Sequence, residues 1–487
     1  MILNKENNVV DKERLIKALN IGFDFKLDSC VQEKNTKQMN NESLFELPIE
    51  GIELNKLLDT FDEEVLPYCT NFSCNNFMGF PDAGNSVAGL AGAIISDFLQ
   101  QNLINSTFCA PIATHLEIAV ITWFRQLLGY KIKKIENIWD VGGIITYGGT
   151  GSNATAMLLA RENFKPNTMN KGVSDLTGYK VIIPKGIGHY SISSSCMWIG
   201  LGNSIIECPT KNYKYDLTEL EKILKQNKGH VMAVVVYVGD SRTMTIENLK
   251  EVYKLVKSID KRIWLHADAC HGFSLAFSDK LKEKIKDINL YDSISTDPHK
   301  VLAIPYCVSA LLVKNPRTFK KITSTSDLIM QEPFAFGQIT PFIGSKSWVS
   351  LKLWFALKNM GIKRIGKMIE RRCDMANYLK AKIEDSNKFV LLNEVNINSV
   401  VFAYVDNKNE DLKQINNRNE KIYERILCDG KYYLHKFTIN DDLGILSKNK
   451  KIVALRYMSG NDNITHDDID DMLKYIEKIA REVENNE

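Results

Sequence analysis

Residues 262–313 read RIWLHADACHGFSLAFSDKLKEKIKDINLYDSISTDPHKVLAIPYCVSALLV, and their pattern decides the fold. Short apolar runs, RIWL, DSIS and VSALLV, alternate with polar or helical stretches. Working outward, the same pattern recurs upstream as KVIIP (180–184), SIIE (204–207) and VMAVVVYV (231–238). Continuous apolar runs suit strands buried on both faces, and their alternation with amphipathic helices predicts an α/β domain with a mostly parallel sheet. In such a sheet ligands collect at the C-terminal strand edges. Asp268 follows RIWL and Lys300 follows DSIS, so both belong to that edge.

On either side the pattern changes. Residues 1–105 are expected to form an N-terminal helical segment and dimerisation arm, polar and helix-prone to about residue 65. The loop NNFMGFPDAGNS (75–86) follows, then a helix over Val87–Gln100. The large α/β domain is assigned to 106–350 and begins with a one-sided apolar helix over Ala113–Leu128. Residues 351–487 are expected to form a small α+β domain. A long helix over Trp348–Lys382 leads into it, strands follow at VLLNEV, SVVFAYV and IVALRYM, and a terminal helix covers His466–Glu482.

Composition narrows the function classes. The 487 residues are 44% hydrophobic and 25% charged, with 62 basic and 59 acidic residues and a net charge of +3. That is globular composition with no excess of cations to attract nucleic acid or a membrane surface. The N-terminal residues MILNKENNVVDKERL lack the apolar core of a signal peptide, and no apolar stretch is long enough to span a bilayer. The ten cysteines show no zinc spacing and read as reduced thiols, so a cytoplasmic location is expected.

Four features of the α/β domain complement one another. IITYGGTGSNATAMLLAREN (144–163) is a strand, a Gly-rich turn and a helix; such a turn presents backbone N–H groups to an anion, although a plain tight turn reads the same way. HADACHG (266–272) sets Asp268 at a strand end, where a helix-capping Asp is the ordinary alternative. DPHK (297–300) places Lys300 after a strand, and lysine is the side chain that forms an imine with a carbonyl cofactor. GHYSISSSCMWIGLG (188–202) places His189 at the same edge; alone, it would be structural more often than catalytic. Together they supply an anion hole, a stacking ring, a carboxylate and an amine, which is what pyridoxal 5'-phosphate (PLP) requires. A metal site built on His266 and His271 lacks a third nearby histidine, so no metal is expected.

HADACHG followed by DPHK, within a stretch from about Phe77 to Met458, resembles the group II PLP-dependent amino-acid decarboxylases, which include aromatic amino-acid and glutamate decarboxylases. The resemblance implies the type I, aspartate aminotransferase-like PLP fold. It also implies a carboxy-lyase releasing a primary amine and CO2 in carboxylic acid metabolism. Carried over residue by residue, Lys300 would hold PLP covalently, Asp268 would pair with the ring nitrogen and His189 would stack on the ring. Gly149 and Thr150 would bind phosphate with His299 nearby, and Ser241 of GDSRTMT would lie near the 3'-oxygen. Gly344 and Ser345, in FIGSKSWVSLKLW, would approach a neighbouring subunit's phosphate, implying a homodimer with its active site at the interface. Arg456 would meet the substrate carboxylate.

Phe77, Phe80, Pro81 and Ala83 are expected to reach the substrate pocket, with Met78 beside them. Asp82 is the only charge in that loop, so an apolar side chain, aromatic or branched aliphatic, is expected. GDSRTMTIEN and DLIMQEPFAFGQITPFIGSK resemble a bacterial branch that includes valine decarboxylase. Some features depart from the family pattern. GDS replaces GTT, Cys270 replaces a small alanine, and residues 322–342 contain no tyrosine where many relatives carry one to protonate Cα. His189 or Lys300 would then have to serve, or the outcome would differ. The alternatives are an aldehyde synthase, a carbon–carbon lyase and, disfavoured by the intact Lys300, Asp268 and His189, a PLP-binding protein without turnover.

Overall fold

A computed structural model describes residues 8–28, 31–34, 42–82, 84–175, 177–327, 330, 333–406 and 410–485. Seven strands form the central sheet, in the spatial order Gly143–Thr146, Ser309–Val313, Ser293–Thr296, Trp264–Asp268, Val231–Tyr237, Lys180–Pro184 and Ile205–Cys208. From Ser293–Thr296 to Ile205–Cys208 every neighbouring pair is parallel, whereas Ser309–Val313 runs antiparallel to both its neighbours. The expected strands are all present, and the central ones are dry: Val231–Tyr237 and Trp264–Asp268 are buried at every position. This burial on both faces is why they read as unbroken apolar runs rather than as alternation.

Helix Gly149–Phe164 packs across the central strands and is buried from Ser152 to Glu162. Its small residues, GTGSNATA, let it lie close to the sheet, and its first turn begins where the parallel strands end. Helix Ser350–Asp385, longer than the expected Trp348–Lys382, bends at Gly361, whose φ of 67° and ψ of 165° no helix accommodates. It crosses the proposed boundary at 350/351. Residues up to Cys373 pack in the large core and those from Met375 onward in the small one, so the helix joins the two units through packing.

The small unit is a four-stranded antiparallel sheet ordered Phe389–Leu391, Ser399–Tyr404, Lys451–Met458 and His435–Asn440. Helices Leu412–Asp429 and His466–Asn485 cover it, closing a core that includes Val400, Phe402, Ile422, Leu455 and Ile476. At the other end, helix Asn8–Leu27 has no buried residue and exposes Val9, Leu19 and Phe23. Among the described residues, no helix is long and apolar enough to cross a membrane.

Candidate active site

A cavity of about 230 Å³ opens at the C-terminal edge of the parallel strands. Gly149, Thr150, His189, Ser241, Asp268, His299 and Lys300 all line it, so the chain segments singled out in the sequence converge there. The described cysteines form no disulfide, and among the described residues no cluster of His, Cys, Asp and Glu is placed to hold a metal.

Gly148, at φ 97° and ψ 153°, turns the chain from strand Gly143–Thr146 into helix Gly149–Phe164. A Cβ on Gly149 would fall 2.7 Å from both Asp297 carboxylate oxygens and 2.9 Å from Cys270 Sγ, so only glycine fits. The first N–H groups of a helix lack intrahelical partners and carry its positive dipole end, and here Gly149 and Thr150 bring them to the cavity wall. Such a helix start can bind an anion.

Asp268 is the last residue of its strand and is 6% exposed. Its Oδ2 accepts from Asn153 Nδ2 at 2.9 Å and its Oδ1 from the Cys270 backbone N–H at 3.2 Å. The Asn153 amide also donates to Ser191 Oγ (2.8 Å), while its Oδ1 accepts from Ser295 Oγ (2.6 Å) and faces His266 Nε2 at 3.0 Å. Because a carboxylate only accepts, Nδ2 must face Asp268 and Oδ1 must face the donors. His266 therefore donates from Nε2 and receives Ser293 Oγ at Nδ1 (2.8 Å). Burial lowers its pKa to about 4, so it is a neutral structural relay with both nitrogens engaged.

His189 caps helix Tyr190–Trp198. Its Nδ1 accepts from the Ser191 backbone N–H at 3.3 Å and lies 2.7 Å from Ser191 Oγ. The lone pair is thus on Nδ1 and the proton on Nε2. Burial lowers its pKa against the opposing pull of Asp268, which favours an uncharged ring. The Tyr237 hydroxyl accepts the His189 backbone N–H at 2.8 Å and fixes the cap. Burial pushes the Cys270 thiol well up, keeping it a packing group.

Lys300 Nζ lies 2.8 Å from Asp297 Oδ2. Burial would discharge this amine, but Asp297, then Cys270 and Asp268, outweigh it and the pKa rises. Asp297 is correspondingly held down at about 2, against its burial, by Lys300 and His299, and Ser309 Oγ donates to its other oxygen. His299 donates from Nδ1 to the Val308 carbonyl (2.8 Å). Ser241 sits on a turn built by fully buried Asp240, whose carboxylate accepts the backbone N–H groups of Arg242, Thr243 and Thr245 at 2.8 Å each.

The other expected site residues lie outside the cavity wall. Phe77 is 2% exposed and stacked between Phe72 (4.5 Å) and Tyr433 (4.9 Å), so its ring belongs to a satellite core. Phe80 packs edge-on to His435 at 5.2 Å, and Pro81 is buried. Ala83 lies outside the described residues. Arg456 is 3% exposed; it donates to the Gly79 carbonyl at 3.0 Å and to the Ser241 carbonyl, while its Nε is buried without a partner. Burial lowers its pKa to about 10, and its guanidinium ties two loops together. Gly344 and Ser345 are exposed, on a segment anchored by a fully buried Lys346–Glu117 pair at 2.8 Å.

Two residues central to the cavity were not singled out in the sequence. Asp297 was in view inside DPHK but drew no role of its own, and Asn153 is one more polar residue four positions into a helix. The Asn153–Asp268 bond is a tertiary contact, whereas Asp297 meets Lys300 three residues along the same turn.

The residues fit PLP: an anion-ready helix start, a flat neutral histidine, a fixed carboxylate and an amine share one cavity. Residues 36–405 match the model of the pyridoxal-dependent decarboxylase conserved domain. The chain is 23% identical over 463 residues to an aromatic-L-amino-acid decarboxylase of Bacillus atrophaeus, covering 91% of this chain and 89% of that one. It is 25% identical over 344 residues to an L-2,4-diaminobutyrate decarboxylase of Acinetobacter baumannii, covering 66% and 65%. The crystal structure of Oryza sativa TDC with PLP and tryptamine superposes with a TM-score of 0.87 at 18% identity, covering 99% of both chains.

Proposed function

The chain belongs to the pyridoxal-dependent decarboxylases, a PLP-dependent carboxy-lyase on the type I fold, and from that premise we propose that it converts an L-amino acid with an apolar side chain into a primary amine and CO2, acting as a cytoplasmic homodimer. One observation carries the chemistry: the Lys300 amine and the Asp268 carboxylate line the same cavity.

When bound, PLP supplies an aldehyde that captures an amine and a cationic ring that takes up the electrons of the breaking Cα–carboxylate bond. The start of helix Gly149–Phe164 binds its phosphate, with Thr150 and His299 beside it. Asp268 holds the proton on the ring nitrogen, and Asn153 keeps that carboxylate aimed. His189 would stack on the ring and offer Nε2–H. Lys300 would be the covalent anchor, with the Asp297 carboxylate as the counter-ion beside its nitrogen. Ser241 orders the ring's oxygen side. Arg456 holds the Gly79 and Ser241 loops that frame the substrate carboxylate.

The apolar preference rests on the loop around Phe80 and Pro81. Its neighbours are Tyr433 and His435, whose pKa is lowered to about 4 by burial and which is therefore uncharged at neutral pH. The loop's one carboxyl, Asp82, is pushed toward its neutral form by burial. The homodimer is supported by the exposed apolar residues of helix Asn8–Leu27 and by exposed Gly344 and Ser345, which lie outside the lining of the candidate active-site cavity. The test is to incubate the holoenzyme with each standard amino acid and measure CO2, amine, aldehyde and peroxide together. Equimolar CO2 and amine from an apolar amino acid is the expected result; aldehyde with peroxide, or no turnover across the panel, contradicts it.

A further inference from the structure

Tyr237 closes strand Val231–Tyr237, is 3% exposed and lines the active-site cavity. Its hydroxyl oxygen accepts the His189 backbone N–H at 2.8 Å. A phenol also carries a donor, and among the described residues no acceptor takes the Tyr237 hydroxyl hydrogen. Asp268, its register partner on the neighbouring strand, accepts instead from Asn153 and from the Cys270 N–H. Buried polar hydrogens are rarely left unpaired. A dry hydroxyl with an unused donor at a cavity wall calls for an acceptor that enters with the ligand.

Resting on the PLP reading above, we infer that Tyr237 donates its hydroxyl hydrogen to the phenolic oxygen of the bound cofactor. The family resemblance gives that oxygen to Ser241 and gives Tyr237 no role. Strand order selects the acceptor. Along the cavity edge the Gly149 helix start follows the outermost strand and Lys300 follows Ser293–Thr296. Asp268 ends the next strand and Tyr237 the one after it. PLP carries its phosphate arm, aldehyde and phenolic oxygen on successive ring carbons, with the ring nitrogen opposite the aldehyde. A phosphate at the helix start and an aldehyde at Lys300 leave the phenolic oxygen on the far side, toward strand Val231–Tyr237. Ser241, which lines the cavity from the turn that follows this strand, lies on the same side.

The setting suits a donor. Burial, then Asp268, push the Tyr237 pKa well up against the opposing His189 N–H, so the hydroxyl keeps its hydrogen. The His189 contact pins the oxygen, and the Val238 N–H donates to the Asp268 carbonyl at 2.8 Å, which ties the two strand ends together. The groups facing the ring nitrogen and the phenolic oxygen are therefore held as one unit.

The test compares PLP with its 3-deoxy analogue, which lacks the phenolic oxygen, in fluorescence titrations of cofactor-free wild type and Tyr237→Phe. Phenylalanine keeps the ring and loses the hydroxyl. Tyr237→Phe should bind PLP about 10–100-fold more weakly, the worth of a hydrogen bond to a charged oxygen, and should bind the analogue as wild type does. A second readout needs no variant: in wild type labelled with ¹³C at tyrosine Cζ, one resonance should move further on loading with PLP than with the analogue. Equal PLP affinity in both proteins overturns the inference. So does an equal loss for both ligands, which would mean that the hydroxyl acts only through the His189 cap, and so does a tyrosine spectrum that responds alike to both. Those results leave the PLP reading standing. A wild type that binds neither ligand removes both.

Discussion

Asn153 Nδ2 lies 2.9 Å from Asp268 Oδ2, and the same amide reaches Ser191, the hydrogen-bond partner of His189. One side chain thus sets the aim of the Asp268 carboxylate and, through Ser191, of the histidine cap. Behind it, Ser295 and neutral His266 fill its other end, so the amide cannot flip without leaving donors facing donors.

Asn153→Ala should therefore behave as a positioning loss. A hydrogen bond to a charged group is worth about 1.5–3 kcal/mol, which converts to about 10–100-fold weaker cofactor binding. Fluorescence titration of the cofactor-free protein with PLP measures this directly. Binding as tight as wild type would remove Asn153 from the account.

The Lys300–Asp297 pair predicts how stability of the cofactor-free protein depends on pH. The Asp297 pKa is depressed to about 2, so its contribution is present above the unfolded value near ~4 and is lost as pH falls through about 2. The Lys300 pKa is raised, so its contribution is present below the unfolded value near ~10.4 and lost as pH rises through the folded one. Between these limits Asp297→Asn should cost about 3–5 kcal/mol, the usual result of stranding one member of a buried pair. Denaturant melts should show that gap closing toward pH ~2. A gap that does not change with pH would place the Asp297 contribution elsewhere.

Lys346 and Glu117 are both fully buried, 2.8 Å apart, and neither finds a further hydrogen-bond partner. Breaking the pair strands a charge, and replacing both members need not. Lys346→Met should cost about 3–5 kcal/mol, and adding Glu117→Leu should recover most of it. Thermal melts of the single and double variants measure the coupling. Because Lys346 anchors the exposed 344–345 segment, the single variant should also weaken self-association in sedimentation. An unchanged melting temperature would mean that the pair is not ionised.

The fold was legible where burial is two-sided. KVIIP, VMAVVVYV and VSALLV could only be dry strands, and each became one. Direction was not legible: VSALLV reads like its neighbours yet runs antiparallel to both of them, because burial fixes composition and not strand sense. Strand His435–Asn440 (HKFTIN) escaped notice because it is a half-exposed edge with little apolar content. Helix Leu412–Asp429 hides its face behind Asn, Lys and Glu, burying only Ile415, Asn419, Ile422 and Ile426. At the site, residue types tied to one strand end were readable, whereas Asn153 acquires its partners only when distant segments meet.

The central claim is that Lys300 carries the cofactor opposite Asp268. Borohydride reduction of the holoenzyme, followed by proteolysis and peptide mass mapping, tests it most directly. The account predicts the reduced pyridoxyl mass on Lys300 and on no other lysine, and its absence from Lys300→Ala together with the visible cofactor absorbance. The same mass on a different lysine, or an unmodified Lys300 in an enzyme that still turns over, would contradict it.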